Sequence, residues 1–197
     1  TATIALQNAP GVARAGVPIA PGIVARLVDG FGNPMTRTTT VTASVASGGG
    51  AVSGATATTN AQGDATFATL SIDGVTGNRT LRFSADQVTA STGTIALAAG
   101  DAAELRVTSQ PTVVQNTLPF PSAVQVRVTD RFGNGVSDAS RGVAASIASG
   151  GGVLLGATSQ TDAVGVASFP ALRLIGAAGP RTLAFTTAGL TSATSAA

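Results

Sequence analysis

The sequence predicts an all-β fold of two tandem Greek-key β-sandwiches, and three observations lead there. Apolar and polar residues alternate over short runs. Clusters of Gly, Asn, Asp and Pro separate those runs. The whole pattern is then written a second time. With 197 residues, each copy is about one hundred residues long, enough to bury a core of its own.

The elements follow in order. Ile4-Ala-Leu6 with Pro10 opens the first copy and is matched by Leu105-Arg-Val107 with Pro111. Ile23-Val-Ala-Arg-Leu-Val28 places Ala25 and Leu27 on one face and Arg26 on the other, and Val124–Thr129 repeats it with Val126, Val128 and Arg127. Asp29-Gly-Phe-Gly-Asn33 then recurs as Asp130-Arg-Phe-Gly-Asn134. Val41, Ala43 and Val45 alternate with Thr42 and Ser44, as Val143, Ala145 and Ile147 do later. Ser47-Gly-Gly-Gly50 recurs as Ser149-Gly-Gly-Gly152, one residue further along than the preceding landmark. From there the offset holds. Thr59-Asn-Ala-Gln-Gly63 matches Thr161-Asp-Ala-Val-Gly165, and Ala65 and Phe67 match Ala167 and Phe169. Gly77-Asn-Arg-Thr-Leu-Arg-Phe83 matches Gly179-Pro-Arg-Thr-Leu-Ala-Phe185. About seven strands per copy is the density of an immunoglobulin-like sandwich. The expected domains are residues 1–99 and 100–197, joined by the short run Ala98-Ala-Gly-Asp-Ala-Ala103.

The order of these motifs resembles the bacterial immunoglobulin-like domain of group 1, the invasin and intimin repeat type. It does so twice, over nearly the whole chain. The resemblance implies extracellular stalks and adhesin arms on the bacterial surface, with no catalytic residues to carry over. The Trp, Tyr and disulfide of antibody domains have no counterpart in this sequence.

Composition excludes much chemistry. His, Cys, Trp and Tyr are absent, and all eleven basic residues are Arg. That removes imidazole and thiolate metal sites, Cys nucleophiles, Ser-His-Asp triads, Schiff-base lysines and the P-loop lysine. No enzyme and no cofactor is expected. A net charge of +2 with the Arg residues scattered along the chain is no footprint for nucleic acid. Mean hydropathy is positive, yet no apolar run reaches the roughly 18 residues of a membrane-spanning helix.

Some residues still invite a site. Asp29 and Asn33, with Asp130 and Asn134, carry the oxygen donors of a calcium ligand, but the loop offers too few carboxylates. The favoured reading is an Asx turn, with Phe31 and Phe132 plugging the end of each sandwich. The two Ser-Gly-Gly-Gly runs lack the Lys and helix of a phosphate loop and read as irregular, flexible connections. Arg79 and Arg181 read as solvated strand ends or partners of a nearby Asp. Asn78-Arg-Thr80 fits a glycosylation pattern that the second copy does not repeat.

The ends bear on assembly. The first copy closes with Thr92-Gly-Thr-Ile-Ala-Leu97, whereas the second reaches Thr194-Ser-Ala-Ala197 without that string. The chain opens with nearly the same letters, Thr1-Ala-Thr-Ile-Ala-Leu6. The expectation is a segment of a longer array, or strand addition from another chain, with Thr1, Ile4, Leu6, Thr194 and Ala197 as assembly residues. The expected function is a non-enzymatic structural module of an extracellular stalk, adhesin or fibre. Its expected partners are neighbouring immunoglobulin-like domains, copies of itself, or a host or surface protein or glycan. The alternatives are a self-assembling filament or surface-layer subunit, and a glycan- or protein-binding module using the loops at 47–53 and 149–156.

Overall fold

Successive side chains of a strand face opposite sides, so each alternating run becomes a strand with one buried face. The computed structural model, which describes residues 2–197, is built from strands throughout and falls into two units, Thr1–Gly100 and Asp101–Ala197. The first unit holds β1 (Thr3–Gln7), β2 (Val12–Arg14), β3 (Ile23–Val28), β4 (Thr40–Ser47), β5 (Ala51–Ser53), β6 (Thr56–Thr58), β7 (Asp64–Phe67), β8 (Ser71–Asp73), β9 (Gly77–Ala85), β10 (Val88–Ser91) and β11 (Ile95–Ala98). The second holds β12 (Glu104–Ser109), β13 (Val124–Thr129), β14 (Gly142–Ser149), β15 (Val153–Leu155), β16 (Thr158–Gln160), β17 (Val166–Phe169), β18 (Arg173–Ile175), β19 (Thr182–Thr186) and β20 (Ala193–Thr194).

In the first unit one sheet runs β1-β3-β7 and the other β2-β11-β9-β4-β6, with β10 also on β9. The first, second and fifth main strands thus form one sheet, and the third, sixth and seventh the other. That is the immunoglobulin-like arrangement. The second unit repeats it as β12-β13-β17 against β16-β14-β19-β20. Register is repeated too. Ala43 faces Phe83 and Ala145 faces Phe185, with a bulge between Val45 and Ser47 and again between Ile147 and Ser149.

The two inward faces meet on Phe. Phe67 and Phe83 pack edge to face with centroids 5.0 Å apart, and Phe169 and Phe185 lie tilted at 5.4 Å. All four rings are fully buried, as are Ile23, Leu27, Leu70 and Leu81 of the first unit. Val124, Val126, Val128, Leu172 and Leu183 surround the second.

The repeated polar motifs join these layers. Thr59 is buried and its hydroxyl accepts the Thr39 amide at 2.8 Å while donating to the Arg37 carbonyl. Thr161 does the same for the Arg141 amide at 2.9 Å. Next to them, Asn60 and Asp162 each accept two backbone amides at 2.9–3.0 Å. The turns so closed lead into β7 and β17. No helix among the described residues is long and apolar enough to cross a membrane.

Candidate functional site

The best-repeated polar pair of the sequence sits in the loop after β3 and after β13. Asp29 Oδ1 accepts the amides of Phe31 and Asn33, both at 2.9 Å, and Oδ2 accepts the Asn33 side-chain amide at 3.2 Å. Asp130 repeats the arrangement with Phe132 and Asn134 at 2.9, 2.9 and 2.8 Å. A backbone pair from Asp29 to Asn33, and from Asp130 to Asn134, closes each loop at 2.9 Å. Both carboxylate oxygens therefore face donors of their own turn. The hydrogen bonds from Asn33 and Phe31 hold the Asp29 carboxyl below its ordinary 3.8. Among the described residues no three His, Cys, Asp or Glu side chains gather into a group that could hold a metal ion.

The two loops differ in one respect. Asp130 and Asn134 are buried, whereas Asp29 is half-buried and Asn33 exposed. The expectation that both Phe rings plug the sandwich ends fails for Phe31, which is 93% exposed. Its amide is tied back to Asp29, which fixes the backbone and leaves the ring outside. Phe132 is half-buried instead, with the Arg131 guanidinium 4.7 Å over its ring.

The arginines also depart from expectation. Arg79 is 4% exposed, and it partners no Asp. Its Nη1 donates to the Asn78 carbonyl at 2.9 Å and its Nη2 to the Val75 carbonyl at 2.6 Å. Arg181 donates to the carbonyls of Gly151 at 2.7 Å, Gly179 at 2.8 Å and Ala177. Each guanidinium thus clamps the bend before its own strand, and Arg181 also reaches the Ser-Gly-Gly-Gly loop. That loop is not an open connection. Gly48 has φ +91°, and a Cβ there would lie 2.1 Å from the Asn78 carbonyl oxygen and 2.8 Å from Arg79 Cδ. Only glycine lets the loop cross so close to the guanidinium stem.

One arginine–carboxylate pair joins two strands of a sheet. Arg26 and Asp64 are cross-strand neighbours in β3 and β7 and pair through two bonds, 2.6 and 2.7 Å. The bonds to Arg26 keep the Asp64 carboxyl below its ordinary 3.8. In the second copy Arg127 faces Val166, and its buried Nε has no hydrogen-bond partner. Asp64 carried no repeat signal, so reading by repeats passed over it.

Of the assembly residues, Thr1 lies outside the described residues. Ile4 is buried in β1 opposite Leu27, and Leu6 is half-buried opposite Ala25. Thr194 sits in β20 opposite Ala184, and exposed Ala197 lines a groove in the second unit.

No protein-family model matches the sequence, and no curated protein matches it. Several solved structures do. The chain is similar to the D0-D1 domain of intimin at 16% identity and a TM-score of 0.36, covering 100% of this chain and 95% of that one. It is similar to the Escherichia coli adhesin FdeC at 19% identity and a TM-score of 0.47, covering 97% of this chain and 60% of that one. It is also similar to a Parabacteroides merdae β-glucuronidase at 16% identity and a TM-score of 0.36, covering 98% of this chain and 24% of that one.

Proposed function

We propose that the chain is a non-enzymatic structural module of an extracellular bacterial stalk, adhesin or fibre. One observation carries the reading. The polar side chains that both copies share are engaged in holding backbone: Asp29 and Asp130 in their loops, Thr59 and Thr161 between segments, Arg79 and Arg181 on carbonyls. Repetition has kept a scaffold, and these shared polar groups have scaffold tasks. Residues that would do acid–base or nucleophilic work on a substrate need an uncommitted reactive atom facing a cleft.

A second reading, protein binding through the β15–β18 edge, has its own support. Val153, Leu155 and Ile175 are exposed there, at 56, 46 and 37%. Their first-copy counterparts are Ala51, Ser53 and Asp73. An aliphatic patch added to one copy marks a surface for a neighbour.

Light scattering after size-exclusion chromatography, read at peptide-bond absorbance because Trp and Tyr are absent, separates these. A monomer of 19.0 kDa at all concentrations, with two unfolding events of similar length when single molecules are pulled, is the outcome the module reading requires. Concentration-dependent filaments would move the function to self-assembly. Unfolding under negligible load would remove the load-bearing role altogether.

A further inference from the structure

Both copies place an arginine in the middle strand of the smaller sheet, but its surroundings differ. In the first, Arg26 stands between Ala5 of β1 and Asp64 of β7, and Asp64 neutralises it through bonds of 2.6 and 2.7 Å. In the second, Arg127 stands between Arg106 of β12 and Val166 of β17. An aliphatic side chain has taken the place of the carboxylate on one flank, and a second guanidinium the place of a methyl group on the other. Like charges directly opposite each other on one face of a sheet repel. The carboxylate nearby is Glu104, and it is committed to Arg106. Its Oε1 accepts Arg106 Nε at 3.0 Å and the Thr129 hydroxyl at 3.4 Å. Two cations therefore share one anion where the first copy is balanced.

The loop after β13 seats both guanidiniums. A Cβ built on Gly135 would lie 2.0, 2.1 and 2.2 Å from Cζ, Nη2 and Nε of Arg127, so the guanidinium fills the space that a side chain there would take. Pro34 stands at that position in the first copy, where the Arg26 guanidinium lies on Asp64 instead. A Cβ on Gly133 would come within 3.2 Å of Arg106 Nη1. Arg127 Nε is buried there without a hydrogen-bond partner. The Arg106 side chain is 61% exposed, so the pair is reached from solvent on that side.

We propose that Arg106 and Arg127 form a carboxylate-binding site on the outer face of the β12-β13-β17 sheet. Its occupant is an acidic side chain of a partner protein, flanked by aliphatic residues. The first copy shows what fits: at the same register a carboxylate meets the same arginine with both oxygens. Val166 flanks the charge, and Val164, two residues before it, is 53% exposed, so the surface that accompanies the arginines is aliphatic. A sugar acid is a poorer occupant. Trp and Tyr are absent, and Phe132 in the adjoining loop is half-buried with Arg131 over its ring. A second copy of this chain is poorer too. Asp29, Asp130 and Asp162 accept amides of their own turns, and Asp64, Asp86 and Asp138 each hold another arginine.

The test follows the side-chain Nε–H signals of Arg106 and Arg127 by NMR in the full chain at low salt. The probe is the peptide acetyl-Ser-Val-Glu-Val-Ser-amide, and its uncharged twin carries Gln for Glu. Glucuronate and inorganic phosphate represent the other anions. The Glu peptide is expected to shift both signals saturably and to bind at least about tenfold more tightly than the Gln peptide. Val166→Asp supplies the carboxylate that Arg26 already has, and is expected to abolish this binding. Val166→Asn, of the same size and uncharged, is expected to keep it. Arg106→Gln alters an exposed side chain and is expected to weaken the Glu peptide by at least about fivefold. Equal affinity for the two peptides would overturn the proposal, as would undiminished binding by Val166→Asp. Tighter binding of glucuronate or phosphate at the same signals would overturn it as well, and so would the same shifts on dimerisation of the parent chain, since each assigns the arginines to a different occupant. The inference goes beyond the stalk reading and lies on a different surface from the β15–β18 edge, so its failure leaves both of those standing.

Discussion

Replacing Asp130 by Ala separates a loop that holds itself from a loop that waits for a metal. The carboxylate accepts three hydrogen bonds, from the Phe132 and Asn134 amides and from the Asn134 side chain. The two from Asn134 are buried, and Asp130 itself is 1% exposed. Ala leaves both buried donors without an acceptor, at about 1–3 kcal/mol each, while the Phe132 amide regains some water. The expected loss is roughly 3–4 kcal/mol, which at about 4–8 °C per kcal/mol for a unit of this size lowers its melting by about 12 °C or more. Asp29→Ala is the internal control. Its loop is identical in bonding but exposed at Phe31 and Asn33, so water replaces the carboxylate and the drop is smaller. Calorimetry of the full chain reads both, because each substitution shifts the transition of its own unit. A shift of only a few degrees for Asp130→Ala, or one no larger than for Asp29→Ala, would refute the burial argument. A rise in parent melting with millimolar calcium that the Asp130→Ala protein loses would restore the metal.

The first unit should lose stability in acid on account of Asp29 and Asp64, whose carboxyls are both held below their ordinary 3.8. The stability they contribute is fully present above that value and is lost as pH falls through their depressed values, so denaturant midpoints at pH 7 and pH 3 should show the loss in this unit. Its absence would mean that the Arg26 pair and the Asn33 turn contribute nothing. Val166→Asp gives Arg127 the partner that Asp64 gives Arg26, and should stabilise the second unit at neutral pH with a new loss in acid; no gain by denaturant titration would show that the Arg127 guanidinium is already satisfied. Among the rings, Phe67→Ala should cost about 3–5 kcal/mol, whereas Phe31→Ala, at a ring 93% exposed, should leave melting unchanged. A clear loss from the latter would place the Phe31 ring inside after all.

The strands were legible because period two is a property of the backbone. Ala25, Leu27, Phe67 and Phe83 could face inward together only in a pleated sheet, and the second copy had to repeat the choice to keep Phe169 on Phe185. A loop was legible where a side chain closes its own backbone, as Asp29 does, since that chemistry is local. What escaped is whatever depends on a distant segment. Arg79 reads as a surface charge until the turn at Val75 and Asn78 supplies carbonyls for it, and the glycine at 48 has no visible reason until that same carbonyl lies 2.1 Å from where its Cβ would be. Phe31 misleads in the other direction. Its apolar ring argues for burial, but the Asp29 turn dictates its backbone, and the turn prevails.

Two copies of one scaffold in a single chain act as each other's control, and their differences are concentrated. The first unit holds a two-bond Arg26–Asp64 pair and an exposed Asp29 loop. The second holds an apolar Val166 opposite Arg127 and a buried Asp130 loop. Exposed Val153, Leu155 and Ile175 of the second unit stand where the first has Ala51, Ser53 and Asp73.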